Sequence, residues 1–92
     1  MKFFKFFDNR ATTSLNITNN SRSFLILTNN TTGNYVGLVG CDNSGILYVK
    51  DILRHDGVTF SYSKNILTIE NSSARALVGC FIIFEGSITY KP

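Results

Sequence analysis

The sequence predicts an all-β fold: a compact antiparallel β-sandwich, jelly-roll or immunoglobulin-like, with seven to eight strands after residue 12. Three observations predict it. Apolar residues either alternate with polar ones or run together in short stretches, with no helical periodicity. Turn signals rich in Asn, Asp, Ser and Gly recur about every 8–12 residues, the spacing of a sandwich or barrel. Helix formers are scarce, with three Ala, two Glu and no Gln, whereas ten Asn, nine Ser and nine Thr suit turns and strands.

The elements follow in order. Residues 2–7 (KFFKFF) are a short aromatic segment broken by Asp8, Asn9 and Arg10. Residues 13–18 (TSLNIT) alternate, with Leu15 and Ile17 on one face, and Asn19-Asn20-Ser21 turns the chain. Residues 23–28 (SFLILT) form a continuous apolar run, the pattern of a strand buried on both faces. A polar loop leads to residues 35–41 (YVGLVGC), where Gly37 and Gly40 mark a bulge or a close backbone approach. Asp42-Asn43-Ser44-Gly45 is a turn, and residues 46–53 (ILYVKDIL) are the next strand. A turn ending in Asp56-Gly57 precedes residues 58–62 (VTFSY), whose Val58, Phe60 and Tyr62 share a face. Ser63-Lys64-Asn65 turns into residues 66–70 (ILTIE). Residues 74–84 (ARALVGCFIIF) are a long apolar strand, and residues 88–90 (ITY) a short last one. The only proline is Pro92, so no strand loses a ladder donor.

Ninety-two residues make one domain. We divide it into an N-terminal aromatic docking arm, residues 1–12, and a sandwich domain, residues 13–92. Exposing Phe3, Phe4, Phe6 and Phe7 together is costly, and a contiguous apolar patch marks an interface. The same residues also fit a first strand of the core. The tetrapeptide Leu38-Val39-Gly40-Cys41 recurs as Leu77-Val78-Gly79-Cys80, as two neighbouring core strands needing small residues where they cross would show.

Composition excludes several functions. Charged residues are 16% of the chain, below the roughly 25% of ordinary domains. The formal net charge of +3 comes from basic residues scattered between Lys2 and Lys91, with no patch of the kind a nucleic-acid binder needs. The basic start lacks the apolar run of a signal peptide, because Lys5 and Asp8 interrupt it. No segment is apolar for the roughly 18 residues of a membrane span, so we expect no membrane insertion. Cys41 and Cys80 read as buried thiols acting as small hydrophobes or as a disulfide closing a loop of about 39 residues, and the sequence leaves the choice open; two Cys and one His at these spacings match no zinc site.

Catalysis lacks parts. His55 stands alone between Arg54 and Asp56, and no nucleophile elbow, phosphate loop or metal-ligand spacing occurs. The six acids are dispersed beside turns, whereas glycoside hydrolysis needs two in one pocket. A calcium site at Asp42-Asn43 or Asp56 would need a denser acidic cluster. Asn-x-Ser/Thr matches at Asn16, Asn19, Asn29, Asn30 and Asn71 are what chance yields in so Asn-rich a chain. We therefore expect a non-enzyme with no cofactor and no metal. Tyr35, Tyr48 and Tyr62 offer flat amphipathic rings, and the Asn-rich loops offer paired donors and acceptors, a combination suited to a carbohydrate-binding module.

The run from Ser23 to Phe84 resembles the small β-sandwich modules of bacteriophage tail-fibre, head-fibre and receptor-binding proteins of gut and Gram-positive hosts. Its features are SFLILTNN, then YVGLVGCDNSGILYV, then ILTIENSSARALVGCFIIF. The resemblance covers about two-thirds of the chain. It implies a virion structural protein assembled in the host cytoplasm, a homo-oligomer with a trimer favoured. Its partners would be other virion proteins and host surface glycans. It carries over no specific binding residue.

Overall fold

The computed structural model describes residues 1–9, 12–29, 34–54, 57–72 and 76–91. These form nine strands: β1 (Lys2–Asn9), β2 (Thr12–Ile17), β3 (Ser21–Asn29), β4 (Asn34–Cys41), β5 (Leu47–Leu53), β6 (Val58–Ser63), β7 (Ile66–Asn71), β8 (Ala76–Glu85) and β9 (Ile88–Tyr90). They make two sheets, in the orders β1-β8-β3-β4-β5 and β6-β7-β2-β9, and every pairing is antiparallel. The all-β sandwich expected from the sequence is what the chain forms. The strand order, which the sequence leaves open, nests β2–β7 inside β1–β8 and adds the meander β3-β4-β5.

The core lies between the sheets. Leu25 and Leu27 from β3, Tyr35, Val39 and Cys41 from β4, and Leu77, Phe81 and Ile83 from β8 meet Leu15 and Ile17 from β2, Leu67 and Ile69 from β7, and Ile88 from β9. Each set is one face of its strand, as the two-residue period requires.

Residues 2–9 do not stand off from the sandwich. They are β1, an edge strand running the length of β8 from Lys2↔Ile83 to Asn9↔Ala76. Alternation splits the four phenylalanines. Phe6 is fully buried, and Phe4 packs against the core with its ring 5.2 Å from that of Tyr90 on the other sheet. Phe3 and Phe7 point outward, 68% and 75% exposed.

The turns predicted at Asn19-Asn20, Asp42–Gly45, Lys64-Asn65 and Gly86-Ser87 sit at strand ends, while residues 30–33, 55–56 and 73 of the other predicted turns lie outside the described residues. Asn20 and Asn65 take left-handed backbone angles, φ 60° and 62°, which a short amide side chain tolerates. Asn65 then fastens one pole of the sandwich. Its side-chain amide donates to the Ile17 carbonyl at 2.8 Å and to Asn19 Oδ1 at 2.8 Å, and its backbone N–H donates to the Gly45 carbonyl at 2.9 Å. The cysteines are free. Cys41 belongs to the core, where burial pushes its thiol pKa up, while Cys80 faces out from the same sheet beside Lys5 and Ile26. The two thiols therefore cannot pair across the fold.

Candidate functional site

β5 and β6 end their respective sheets, and the chain passes directly from one to the other. The two edges border a shallow groove of about 330 Å³, lined by Val49, Asp51, Arg54, Phe60 and Tyr62. Phe60 lines it, and the buried Tyr35 ring lies behind Phe60, centroids 4.9 Å apart at 55°. Arg54 covers both, its guanidinium carbon 5.8 Å from the Tyr35 centroid and 5.4 Å from that of Phe60. The same guanidinium donates to the Val58 carbonyl and stands 3.8 Å from Asp51 Oδ1. That planar fork is thus held by two rings, a carbonyl and a carboxylate.

The sequence-predicted tyrosines do not converge. Tyr35 is 1% exposed, and its hydroxyl donates to Asp51 Oδ1 at 2.6 Å. Burial first, and then that hydrogen bond, push its pKa above the ordinary 10.0. A ring buried to this degree has no face to offer a sugar; its part is to orient Asp51. Tyr48 lies on the outer face of the five-stranded sheet, and its hydroxyl donates to Asp42 Oδ2 at 3.2 Å. Tyr62 is exposed and stands between the Arg54 groove and a second hollow of about 310 Å³ that runs past Ser63, Lys64 and Ile46. Sequence reasoning missed Asp51, Arg54 and Phe60. Arg54 stands out in the sequence only as the neighbour of His55 and Phe60 only as sharing a face with Val58 and Tyr62, and nothing in a strand sequence says that two sheet edges will meet.

Chemically, the groove presents a fixed donor fork, a carboxylate and an exposed phenol ring beside the Phe60 ring, in a mostly polar lining. Such a set suits the hydroxyls and flat faces of a saccharide. Among the described residues it holds one carboxylate, Asp51, where acid–base hydrolysis of a glycoside needs two. Asp42 is occupied as a turn residue. Its Oδ1 accepts from the N–H groups of Ser44 at 2.8 Å and Ile46 at 2.9 Å, and these bonds hold its carboxyl below its ordinary pKa. Among the described residues no group of three or more His, Cys, Asp or Glu could hold a metal ion. His55 and Asp56 lie outside the described residues. No described helix is long and apolar enough to cross a membrane.

A second surface stands out on the opposite side of β5. Because Phe3, Ile82, Phe24, Leu38 and Lys50 are successive register partners across β1, β8, β3, β4 and β5, one row of side chains crosses the whole outer face of the five-stranded sheet. Four of the five are apolar.

No protein-family model matches the chain, and no curated protein matches it. A solved structure does. The chain is similar in fold to part of the tailspike protein gp49 of Acinetobacter baumannii bacteriophage Fri1, a capsular polysaccharide depolymerase. The TM-score is 0.62 at 15% sequence identity, and the match covers 98% of this chain and 19% of the tailspike. The chain therefore corresponds in length to about a fifth of that protein, and the likeness is one of fold.

Proposed function

We propose that this chain is a non-enzymatic structural or interaction module of a bacteriophage particle, a fibre, decoration or host-attachment unit that self-associates and contacts host surface polysaccharide. The observation that carries the reading is the fold match, which spans nearly the whole chain and a phage tailspike segment. The tailspike acts on capsular polysaccharide, and a polysaccharide is the ligand class that the β5–β6 groove suits. On this reading Arg54 and Asp51 meet sugar hydroxyls and the Tyr62 ring stacks on a sugar face. Other virion proteins would be the remaining partners. Phe3 and Phe7, the two phenylalanines turned outward on β1, would lie at an interface, while Phe4 and Phe6 serve the core.

The test is retention on an array of bacterial capsular and surface polysaccharides. Binding that falls at least tenfold in Tyr62→Ala and in Arg54→Ala, with no depolymerised product released, is expected. Retention unchanged in both substitutions would remove the groove from the proposal, and release of oligosaccharide would remove the non-enzymatic assignment. The alternative, a carbohydrate-binding module working alone, is favoured by the same groove; it is distinguished by a monomer in solution that still binds.

A further inference from the structure

The five-stranded sheet is apolar on its inner face and largely apolar on its outer one, where Lys5, Arg22 and Lys50 stand toward the margins, and only the inner face is covered. Inward residues meet the four-stranded sheet. Outward, β8 presents Val78, Cys80, Ile82 and Phe84, and β3 presents Phe24 and Ile26. A strand apolar on both faces belongs in the middle of a stack, with a layer on each side.

We infer that the outer face of the five-stranded sheet docks on the same face of a second copy of this chain, about a two-fold axis. The inference deepens the self-association part of the proposed function and rests on it.

Three observations select a second copy. The first is size. Five strands at about 4.8 Å spacing, carrying outward residues every 6.8 Å or so, make a patch of roughly 24 by 20 Å. That is on the order of 500 Å² in projection, about a tenth of the 5286 Å² surface and near the lower limit for a specific interface before side-chain relief is added. It is about twice the width of a helix and flat, so it suits another sheet better than a helix.

The second is relief. Phe24 and Phe84 stack edge to face, centroids 5.4 Å apart, as a ridge. Beside it Gly40 leaves a hollow of about 440 Å³, walled by the ridge, Leu38, Tyr48 and Lys50. A cavity of about 150 Å³ admits a benzene ring, so the hollow has room for a phenylalanine. A ridge and a matching hollow on one face are self-complementary: a two-fold axis seats each Phe84 in the other copy's hollow.

The third is the treatment of the edges. Lys5 on β1 and Lys50 on β5 stand at the two margins of this face and leave its middle apolar, the layout of an apolar centre with a polar rim.

The experiment is sedimentation velocity with light scattering on the full chain, wild type and variants. Gly40→Leu fills the hollow without disturbing the fold. An added Cβ there meets only the Ser21 carbonyl oxygen at 3.7 Å and a Tyr48 ring carbon at 3.8 Å, both ordinary contacts. Leu38→Asp places a charge in the middle of the face. The expected result is a wild-type mass of twice 10.3 kDa, a dissociation constant raised at least tenfold by either substitution, and no change for Ser61→Asp on the far sheet. Circular dichroism checks that each variant is folded. A monomer at every concentration overturns the inference together with the self-association of the proposed function, and its flotation with phosphatidylcholine–phosphatidylglycerol vesicles would assign the face to lipid. An oligomer indifferent to both substitutions leaves self-association standing and overturns this face. A trimer overturns the two-fold arrangement.

Discussion

Replacing Gly79 by alanine tests how the edge strand is seated. Gly79 lies opposite Phe6 in the β1–β8 ladder, and the Phe6 ring covers it. A Cβ at Gly79 would lie 2.0 Å from Phe6 Cζ and 2.3 Å from Cε1. Carbon contacts prefer about 3.5–4.0 Å, so the ring must withdraw by roughly 1.5–2 Å. It has nowhere to go. Phe6 is fully buried, with its centroid 5.9 Å from Phe81 and 6.3 Å from Phe4. Overpacking costs about 1–3 kcal/mol, and each disturbed ring pair about 0.5–1.5 kcal/mol more. Relief of glycine's unfolded-state entropy offsets about 0.4–1 kcal/mol. We expect a net loss of about 3 kcal/mol, a fall in Tm of at least about 12 °C for a chain of this size. Phe6→Ala alone should cost about 3–5 kcal/mol. In the Phe6→Ala background the new methyl enters vacated space, so Gly79→Ala should be neutral or stabilising by about 0.5 kcal/mol. The coupling in a double-mutant cycle, read by urea unfolding at one fixed protein concentration, is then about −3 kcal/mol. Additivity within about 0.5 kcal/mol would refute the reasoning, because the two positions would then not share one space.

Three further outcomes follow from the hydrogen bonds. Asn65→Ala removes two side-chain donations and leaves alanine at φ 62°, so a loss of about 2–3 kcal/mol is expected in the same unfolding assay. Tyr35→Phe deprives half-exposed Asp51 of its donor at a cost of about 1 kcal/mol. The raised folded pKa of Tyr35 also sets a sign. Its contribution is whole below the ordinary value of 10.0 and declines as pH rises beyond it, so an alkaline titration of stability should flatten in Tyr35→Phe. Asp42 has the opposite sign. Its contribution is present above its ordinary value of 3.8 and lost as pH falls through the lower folded value, so Asp42→Ala should blunt acid sensitivity of the amide exchange of Ser44 and Ile46.

Much of the fold was legible in the strand patterns and the Asn-rich turns. Leu15 and Ile17, or Leu67 and Ile69, announce their buried face because polar residues separate them. The turn at Asn20 and that at Asn65 show in their residue types. The fate of residues 2–7 was legible only as two alternatives. Four phenylalanines on an isolated segment look like an arm; paired with β8, alternation assigns Phe4 and Phe6 inward and leaves Phe3 and Phe7 out. The groove was less legible still. Tyr62 was visible as an aromatic at a strand end, but Asp51, Arg54 and Phe60 acquire meaning only where the edges of β5 and β6 meet.

The repeated tetrapeptide separates what each level decides. Leu38-Val39-Gly40-Cys41 and Leu77-Val78-Gly79-Cys80 are identical in sequence, and composition alone makes both of them strand. They lie in one sheet, on either side of β3. In β4, Leu38 and Gly40 face out while Val39 and Cys41 enter the core; in β8, Leu77 and Gly79 face in while Cys80 faces out. Nothing local sets that phase, because a strand apolar on both faces fits either way, and a shift of one residue exchanges its faces. The partners set it: the Phe6 ring needs the space above Gly79, and the outward Gly40 opens the hollow beside Phe84. The sequence by itself determined that this chain is β and where it turns. Which apolar face became core and which was left outward depended on contacts between residues far apart in the chain, and those exist only in the folded sandwich.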